Sequence, residues 1–330
     1  MRIFVLLYML CCTLTAVAQY PPQAGVPGST AISKNDNRIV AWAATCKVER
    51  GWMDIADKQQ GKVLLGTEQN ATGKADDKVV SLGDSGTAIL TFDAALYNGP
   101  GPDFLVFEFG FINPSNPEEA FLELAFVEVS SDGVNYKRFP ASSLTDTTQV
   151  PMAGVYMNAR NINNFAGKYV AGFGTPFDLE ELKDTPGLDV NHITHVRLVD
   201  VIGSLGAHAS LDKEGNKIND PYPSPIPAGG FDLDAVAALN IPGRWPAGVA
   251  ANEGQPAVRI YPNPARDRIY VASTGDLAYF SIEDVTGRQL VRRETGSSNS
   301  IDISHLSAGV YYLVLNNGKG KEWIERFSKY

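Results

Sequence analysis

The chain has 330 residues, with 28 Lys and Arg against 37 Asp and Glu and a net charge of −9. That length accommodates two domains, and the acidic balance excludes a nucleic-acid surface, which needs a positive field over the phosphates. The charge is uneven: residues 19–255 carry 17 basic against 29 acidic side chains, while residues 256–330 carry 10 against 8. Such an acidic front keeps a secreted protein soluble and is compatible with cationic partners.

Arg2 is the only charged residue before Lys34, and residues 3–14 are dominantly apolar. The run is too short to span a bilayer and has the length of a secretory h-region. Ala16-Val17-Ala18 places small residues at the two cleavage-determining positions, so residues 1–18 are predicted to be a signal peptide, with Gln19 as the new N-terminus. Cys11 and Cys12 lie inside the apolar run without the small residue that precedes a lipidated cysteine. Cleavage leaves Cys46 as the one remaining thiol, so no internal disulfide can form and the core must supply the stability. Residues 19–37 read as a flexible lead-in.

Across residues 38–240, glycines and prolines punctuate short runs rich in Val, Ile, Phe and Tyr. Runs at 39–43, 87–92, 104–109, 122–130, 193–202 and 231–239 predict strands, and long helical patterns are absent; residues 178–183 predict a short helical turn. Residues 97–103, with two Gly-Pro steps, form a rigid turn. Asp132-Gly133 is expected to join residues 122–130 to an aromatic strand at 134–139 as a hairpin.

Candidate chemistry in this region is sparse. Gly83-Asp84-Ser85-Gly86 mimics the nucleophile segment of chymotrypsin-like proteases, but that family places His and Asp before the Ser, and the first histidine here is His192. Ser85 is therefore expected to be a turn residue. His192 and His195 are three apart and would face opposite sides of a strand, which disfavours a shared metal. Cys46 is expected in the core. Glu123 and Glu128 fall on opposite faces of one strand, with Glu108 able to join either from a neighbour; such a pair could run glycoside hydrolysis, though no spacing singles one out.

Residues 212–220 place oxygen-bearing side chains at short intervals around Gly215. Asp212, Asn216 and Asp220 there, Asp200 at the end of the preceding strand, and Asp232 and Asp234 on the following one are candidate Ca²⁺ ligands. The segment between Gly203 and Gly230 holds four prolines and little apolar material, so an ion is a plausible organiser.

Residues 241–255 read as a linker, and residues 256–330 as a second, small sandwich of about seven strands. Its opening is Pro262-Asn263-Pro264. Asp284-x-x-Gly287-Arg288 turns a hairpin, Leu306-x-x-Gly309-Val310-Tyr311 leads into a long strand, and Lys329-Tyr330 ends the chain.

In that order and spacing these motifs resemble the type A sorting domain of type IX secretion. The resemblance implies recognition by the outer-membrane translocon, and removal of the domain, often with attachment of the cargo to surface lipopolysaccharide. Residues 38–240 resemble uncharacterised bacterial cell-surface proteins with a galactose-binding or discoidin-like jelly roll. The shared elements are Ser81-Leu82-Gly83-Asp84, Gly99-Pro100-Gly101-Pro102-Asp103, residues 123–133 and residues 229–236. The resemblance implies surface location and binding, with no established reaction.

The expected fold is therefore all-β, a jelly-roll-like sandwich followed by a small immunoglobulin-like one. The expected function is a non-catalytic, surface-displayed binding protein. Its ligand would be a glycan, or a cofactor-type nutrient such as a corrinoid passed to an outer-membrane receptor. A secreted glycan-active enzyme and a structural surface-coat component are the alternatives.

Overall fold

The computed structural model describes residues 20–151, 156–242, 258–273, 278–284, 288–294, 300–316 and 322–330. The predicted signal segment 1–18, most of the predicted linker 241–255, and Gly287 lie outside the described residues.

In chain order the front region forms β1 (Ile32–Ser33), β2 (Ala41–Trp42), β3 (Thr45–Glu49), β4 (Val80–Ser81), β5 (Thr87–Leu96) and β6 (Phe104–Glu108). A hairpin of β7 (Phe111–Asn113) and β8 (Asn116–Phe121) follows, then β9 (Ala125–Ser130), β10 (Lys137–Arg138), β11 (Ser142–Ser143) and β12 (Met157–Asn158). The last five are β13 (Ile162–Asn163), β14 (Phe165–Ala166), β15 (Phe173–Phe177), β16 (Ile193–Asp200) and β17 (Asp232–Ala238).

Two six-stranded sheets dominate. One runs β1-β15-β6-β17-β2, with β4 also paired to β17; the other runs β10-β9-β16-β5-β3, with β14 paired to β9. Their pairings are antiparallel. Between them, Phe104 and Val106 of β6 and Val236 and Ala238 of β17 meet Leu90 of β5, Val127 and Val129 of β9, and Val196 and Leu198 of β16. The period of two puts Leu105, Phe107, Ala235 and Ala237 on the opposite face, where Ile32, Ala75 and half-buried Trp42 cover them. Because β6 is covered on both faces, its sequence is a continuous apolar run instead of an alternation. Phe126 and Val199 point away from the main core into a third cluster with Leu122, Leu124, Phe165, Val201 and Ile218.

Three expectations need correction. From Tyr20 onward the lead-in is not loose. Ile32 pairs with Gly174 of β15. Gln23 is fully buried, its Nε2 donating to the Lys168 carbonyl and its Oε1 accepting from the Val170 amide, both at 3.2 Å. The apolar outer face of β6 and β17 must be covered, and burial there outweighs a sequence without local strand preference. Second, the strand expected at 122–130 starts only at Ala125, which releases Glu123 from the ladder. Third, only Lys137–Arg138 of the expected strand at 134–139 pairs. There Asp132 gathers the amides of Val134 and Asn135 at 2.8 and 2.7 Å, so the turn takes up more chain than a two-residue hairpin would. The short helical turn appears as Leu179–Leu182, capped by Asp178 accepting from Glu180 N at 2.9 Å.

The C-terminal region forms β18 (Val258–Tyr261), β19 (Arg268–Ser273), β20 (Tyr279–Asp284), β21 (Gln289–Glu294), β22 (Ser300–Asp302), β23 (Gly309–Asn316) and β24 (Glu322–Lys329). A β18-β19-β22 sheet and a β21-β20-β23-β24 sheet enclose a core of their own. Ile269, Val271, Ile301 and Ile303 meet Phe280, Ile282, Leu313, Leu315 and Phe327 in it. The chain is all-β.

Candidate functional site

Four carboxylates lie at strand ends and connections of the front region. Glu108 ends β6, Glu123 stands between β8 and β9, Asp200 ends β16, and Asp220 lies in the long connection from β16 to β17. They are 2%, 6%, 2% and 2% exposed, although an ionised carboxylate is costly to bury without a partner of opposite charge. Asp200 Oδ1 accepts from the Phe231 amide at 2.8 Å and Oδ2 from the Ser85 amide at 3.2 Å. Glu108 Oε2 accepts from the Gly110 amide at 2.7 Å. Asp220 Oδ2 takes only a long 3.3 Å bond from the Leu124 amide, and its buried Oδ1 has no hydrogen-bond partner.

Burial raises all four well above the ordinary carboxylate range, and neighbouring carboxylates raise them further: Asp232 and Asp234 at Glu108, Asp84 and Asp232 at Asp200. At Glu123, burial comes first, followed by the charges of Asp232, Glu108, Asp220 and Asp200. At Asp220, burial is joined by Asp200 and Glu108. Asp84 and Asp232 flank the group and are pushed up to about 6, each mainly by burial. The backbone packs closely around Asp200 and Glu123. Gly230 has φ +72°, and a Cβ there would lie 2.7 Å from Asp200 Oδ1; Gly167 has φ +80°, and a Cβ there would overlap the Glu123 carbonyl. Among the described residues, no group of three or more His, Cys, Asp or Glu side chains is placed to hold a metal ion.

The six residues expected as Ca²⁺ ligands separate. Asp200 and Asp220 join the buried group, with Asp232 at its edge, where it accepts from the Ser81 hydroxyl. Asp212 and Asn216 instead close a local turn. Asp212 accepts from the amides of Ser143, Glu214 and Asn216 at 2.9, 3.0 and 2.8 Å, and from Asn216 Nδ2 at 3.2 Å. Burial raises this carboxyl, but those four donors outweigh it and hold it below its ordinary value. Asp234 accepts from the amides of Asp76 and Asp77 at 3.1 and 3.3 Å. A register shift between Leu233 and Ala235 disrupts the alternation that would give Asp232 and Asp234 a common set of neighbours.

Protein groups already organise the long connection. Asn219 is fully buried, accepting from the Val150 amide at 2.9 Å and donating to the Asp146 carbonyl at 2.7 Å. Gln149 bridges the Gly203 carbonyl and the Leu205 amide, both at 2.9 Å, and the Tyr222 hydroxyl donates to Asp54 at 2.7 Å.

The remaining candidates resolve by their surroundings. Ser85 is an exposed turn residue with φ +62°. Incubation with a fluorophosphonate probe should leave it unlabelled; labelling abolished by Ser85→Ala would make it a nucleophile after all. His195 shares a 2.8 Å hydrogen bond with the Thr194 hydroxyl, and exposed His192 precedes the strand. Cys46 is half-buried on β3 against the main core, where burial pushes its thiol up to about 12. Glu128 is held between Arg138 at 2.8 Å and Arg197 at 2.5 Å, away from Glu108 and Glu123.

Two surfaces could meet a ligand. On the β7–β8 hairpin, between Glu108 and Glu123 in the chain, Phe111 and Phe121 stack at 5.0 Å and 11°. Tyr156 stands edge-on to Phe111 at 6.3 Å. Phe111 is 53% exposed, with Phe109 and Ile112 also exposed, and Asn113 donates to Glu119 beside them at 3.0 Å. Elsewhere, a cleft of about 510 Å³ is lined by Arg38, Asn163, Asn164, Asp178, Glu181 and three prolines, among others.

In the C-terminal sandwich the expected sorting motifs are structurally tied. Asn263, between Pro262 and Pro264, donates to the Arg326 carbonyl and accepts from the Ser328 amide, both at 2.9 Å, joining the opening turn to the last strand. Asp284 accepts from Arg288 N at 3.1 Å and Nε at 3.0 Å. Gly309 pairs with Lys329, whose Nζ donates to the Arg266 carbonyl at 2.6 Å. The Tyr311 hydroxyl donates to the Ser307 carbonyl at 2.8 Å, and its ring stacks on Phe327.

No curated protein matches the chain. Among solved structures, it is similar to the BSP domain of a biofilm-associated protein (10% identity, TM-score 0.19, covering 89% of this chain and 52% of that one). It is also similar to the Endo-D glycoside hydrolase domain of Streptococcus pneumoniae R6 (11%, 0.20, 87% and 37%). A third is a β-glucuronidase from Ruminococcus gnavus in complex with uronic deoxynojirimycin (11%, 0.18, 87% and 46%). The chain spans about half or less of these structures, and at such scores the likeness carries no argument. Among the described residues, no helix is long and apolar enough to cross a membrane. The family described as the secretion system C-terminal sorting domain matches residues 259–328. With the tied motifs above, this makes the C-terminal sandwich a sorting domain of type IX secretion, and the chain a cargo exported across the outer membrane to the cell surface or beyond.

Proposed function

We propose that the front region is a non-catalytic module that binds glycan at the cell surface, with the β7–β8 hairpin as its contact face. The observation that carries this reading is the exposed Phe111 ring, stacked on half-buried Phe121. Flat aromatic faces take the C–H faces of sugar rings, and the neighbouring Asn113 and Glu119 supply hydrogen-bonding groups for hydroxyls. An acid–base reaction fits these surroundings less well. Glu108 and Glu123 are buried among like charges, and Glu128 is neutralised by two arginines.

A second reading is favoured by the 510 Å³ cleft, whose size and mixed lining, apolar with a few polar groups, suit a compact nutrient molecule that would then pass to an outer-membrane receptor. The purified chain, screened against a panel of surface and host polysaccharides, separates the two. Phe111→Ala is expected to weaken glycan binding about tenfold, the equivalent of one lost aromatic stack, while Arg38→Ala leaves it unchanged. Binding that is lost in Arg38→Ala and kept in Phe111→Ala would move the site to the cleft. A variant-insensitive turnover of any glycan in the panel would defeat the non-catalytic reading.

A further inference from the structure

The β7–β8 hairpin supplies two strands of a three-stranded sheet with the order β12-β8-β7. The strand period sends Ala120 and Met157 inward to the third core cluster, and Glu119 and Phe121, on either side of Ala120, outward. On that outer face Phe111 lies directly opposite Phe121, and Glu119 lies directly opposite Asn158. The sheet therefore carries an aromatic row, completed by Tyr156 edge-on to Phe111, beside a polar row. Hydrogen bonds fix the polar row. Asn113 Oδ1 accepts from the Ser115 amide at 2.9 Å, and its Nδ2 donates to Glu119 Oε2 at 3.0 Å. Asn158 Oδ1 accepts from the Arg160 amide at 2.9 Å. Glu119 Oε1 and Asn158 Nδ2 are left to meet a ligand. No Lys or Arg forms an ion pair with Glu119 among the described residues; the Arg160 side chain pairs with Glu118 at 3.1 Å.

We propose that Glu119 makes this face selective for uncharged glycans and shuts out chains that carry uronic acid or sulfate groups. The proposal rests on the glycan reading of the hairpin and adds the class of chain. An ionised carboxylate only accepts hydrogen bonds. A hydroxyl of a sugar ring lying on Phe111 has a proton to give it. A uronate or sulfate oxygen has none, and it brings a like charge into contact. Discrimination between similar ligands draws on a repulsive element as well as an attractive one; here Glu119 repels and Phe111 attracts. The bond from Asn113 holds the carboxylate in place, so it does not swing aside for an anion. Residues 19–255, with 17 basic against 29 acidic side chains, add a weaker repulsion of polyanions at longer range.

The test measures binding of the purified full chain to an array of neutral polysaccharides (cellulose, xylan, mannan, galactan) and acidic ones (polygalacturonate, alginate, hyaluronan, heparin). Acidic members are expected to bind at least about tenfold more weakly than the best neutral one. Glu119→Gln keeps the shape and one acceptor oxygen but removes the charge, so the ratio of acidic to neutral binding should rise about tenfold or more. Salt at about 1 M, where the screening length is about 3 Å, should raise the wild-type ratio as well. Glu49→Gln takes the same charge from the edge strand β3 and should leave the ratio unchanged. A protein that binds no member of the array, or binds without need of Phe111, defeats the glycan reading of the hairpin and this proposal with it. Binding that needs Phe111 but favours acidic and neutral members equally overturns the proposal alone. So does a ratio that stays the same in Glu119→Gln.

Discussion

Deleting residues 256–330 is expected to abolish surface display and leave the front region in the periplasm. The predicted signal peptide would carry the chain across the inner membrane, and the sorting domain is what the outer-membrane step recognises. The front region should fold without it, because the two regions have separate cores: Ala265 to Phe327 supply one, and residues before 242 supply the others. The truncated chain should therefore accumulate as a folded periplasmic species instead of vanishing to proteolysis. Fractionation, with protease shaving of intact cells, reads this directly. Full-length protein should be shaved and the truncated form protected. Truncated protein that remains accessible on intact cells would mean that export does not depend on the C-terminal sandwich.

The second large effect is on stability. Phe104 is fully buried on β6, stacked on Phe177 at 5.3 Å and edge-on to Phe139 at 5.9 Å. Phe139 also meets Phe177 at 5.1 Å, so three rings close one end of the main core. Phe104→Ala removes both ring contacts and leaves a cavity that two sheets cannot close without bending. Such substitutions cost about 3–5 kcal/mol, a large fraction of the total stability of a domain. Urea unfolding should show the midpoint falling with the slope unchanged. As a control, Val134 is 78% exposed, and Val134→Ala should stay within about 0.5 kcal/mol of the wild type. A loss below about 1 kcal/mol at Phe104 would contradict the packing of the two sheets at this end.

What could be read from the sequence was local or contiguous. The sorting motifs are short strings whose meaning depends on order and spacing. Alternating and continuous apolar runs declared the strands, because side-chain period is a property of the strand itself. Asp284 and Arg288 are four residues apart, and their hairpin contact needs no distant partner.

What the tertiary structure alone decided was which residues share a neighbourhood. Asp212 and Asn216 lie in the acidic loop at a spacing that predicts a site shared with Asp220, yet Asp212 turns its carboxylate to the amides of its own turn. Glu123, more than 75 residues before Asp200, comes under the charges of Asp200 and Glu108 only because the sheets stack and the strand beginning at Ala125 leaves Glu123 outside its ladder. A signal was present in the sequence, in that Glu108, Glu123 and Asp200 each interrupt or end an apolar run, where a charge is costly unless it has a purpose. The lead-in shows the same limit. Nothing local in residues 20–37 calls for burial, and only the uncovered face of β6 and β17 requires it. Local periodicity sets the strands; the burial of a given carboxylate, and its company, depends on which surfaces the folded chain brings together.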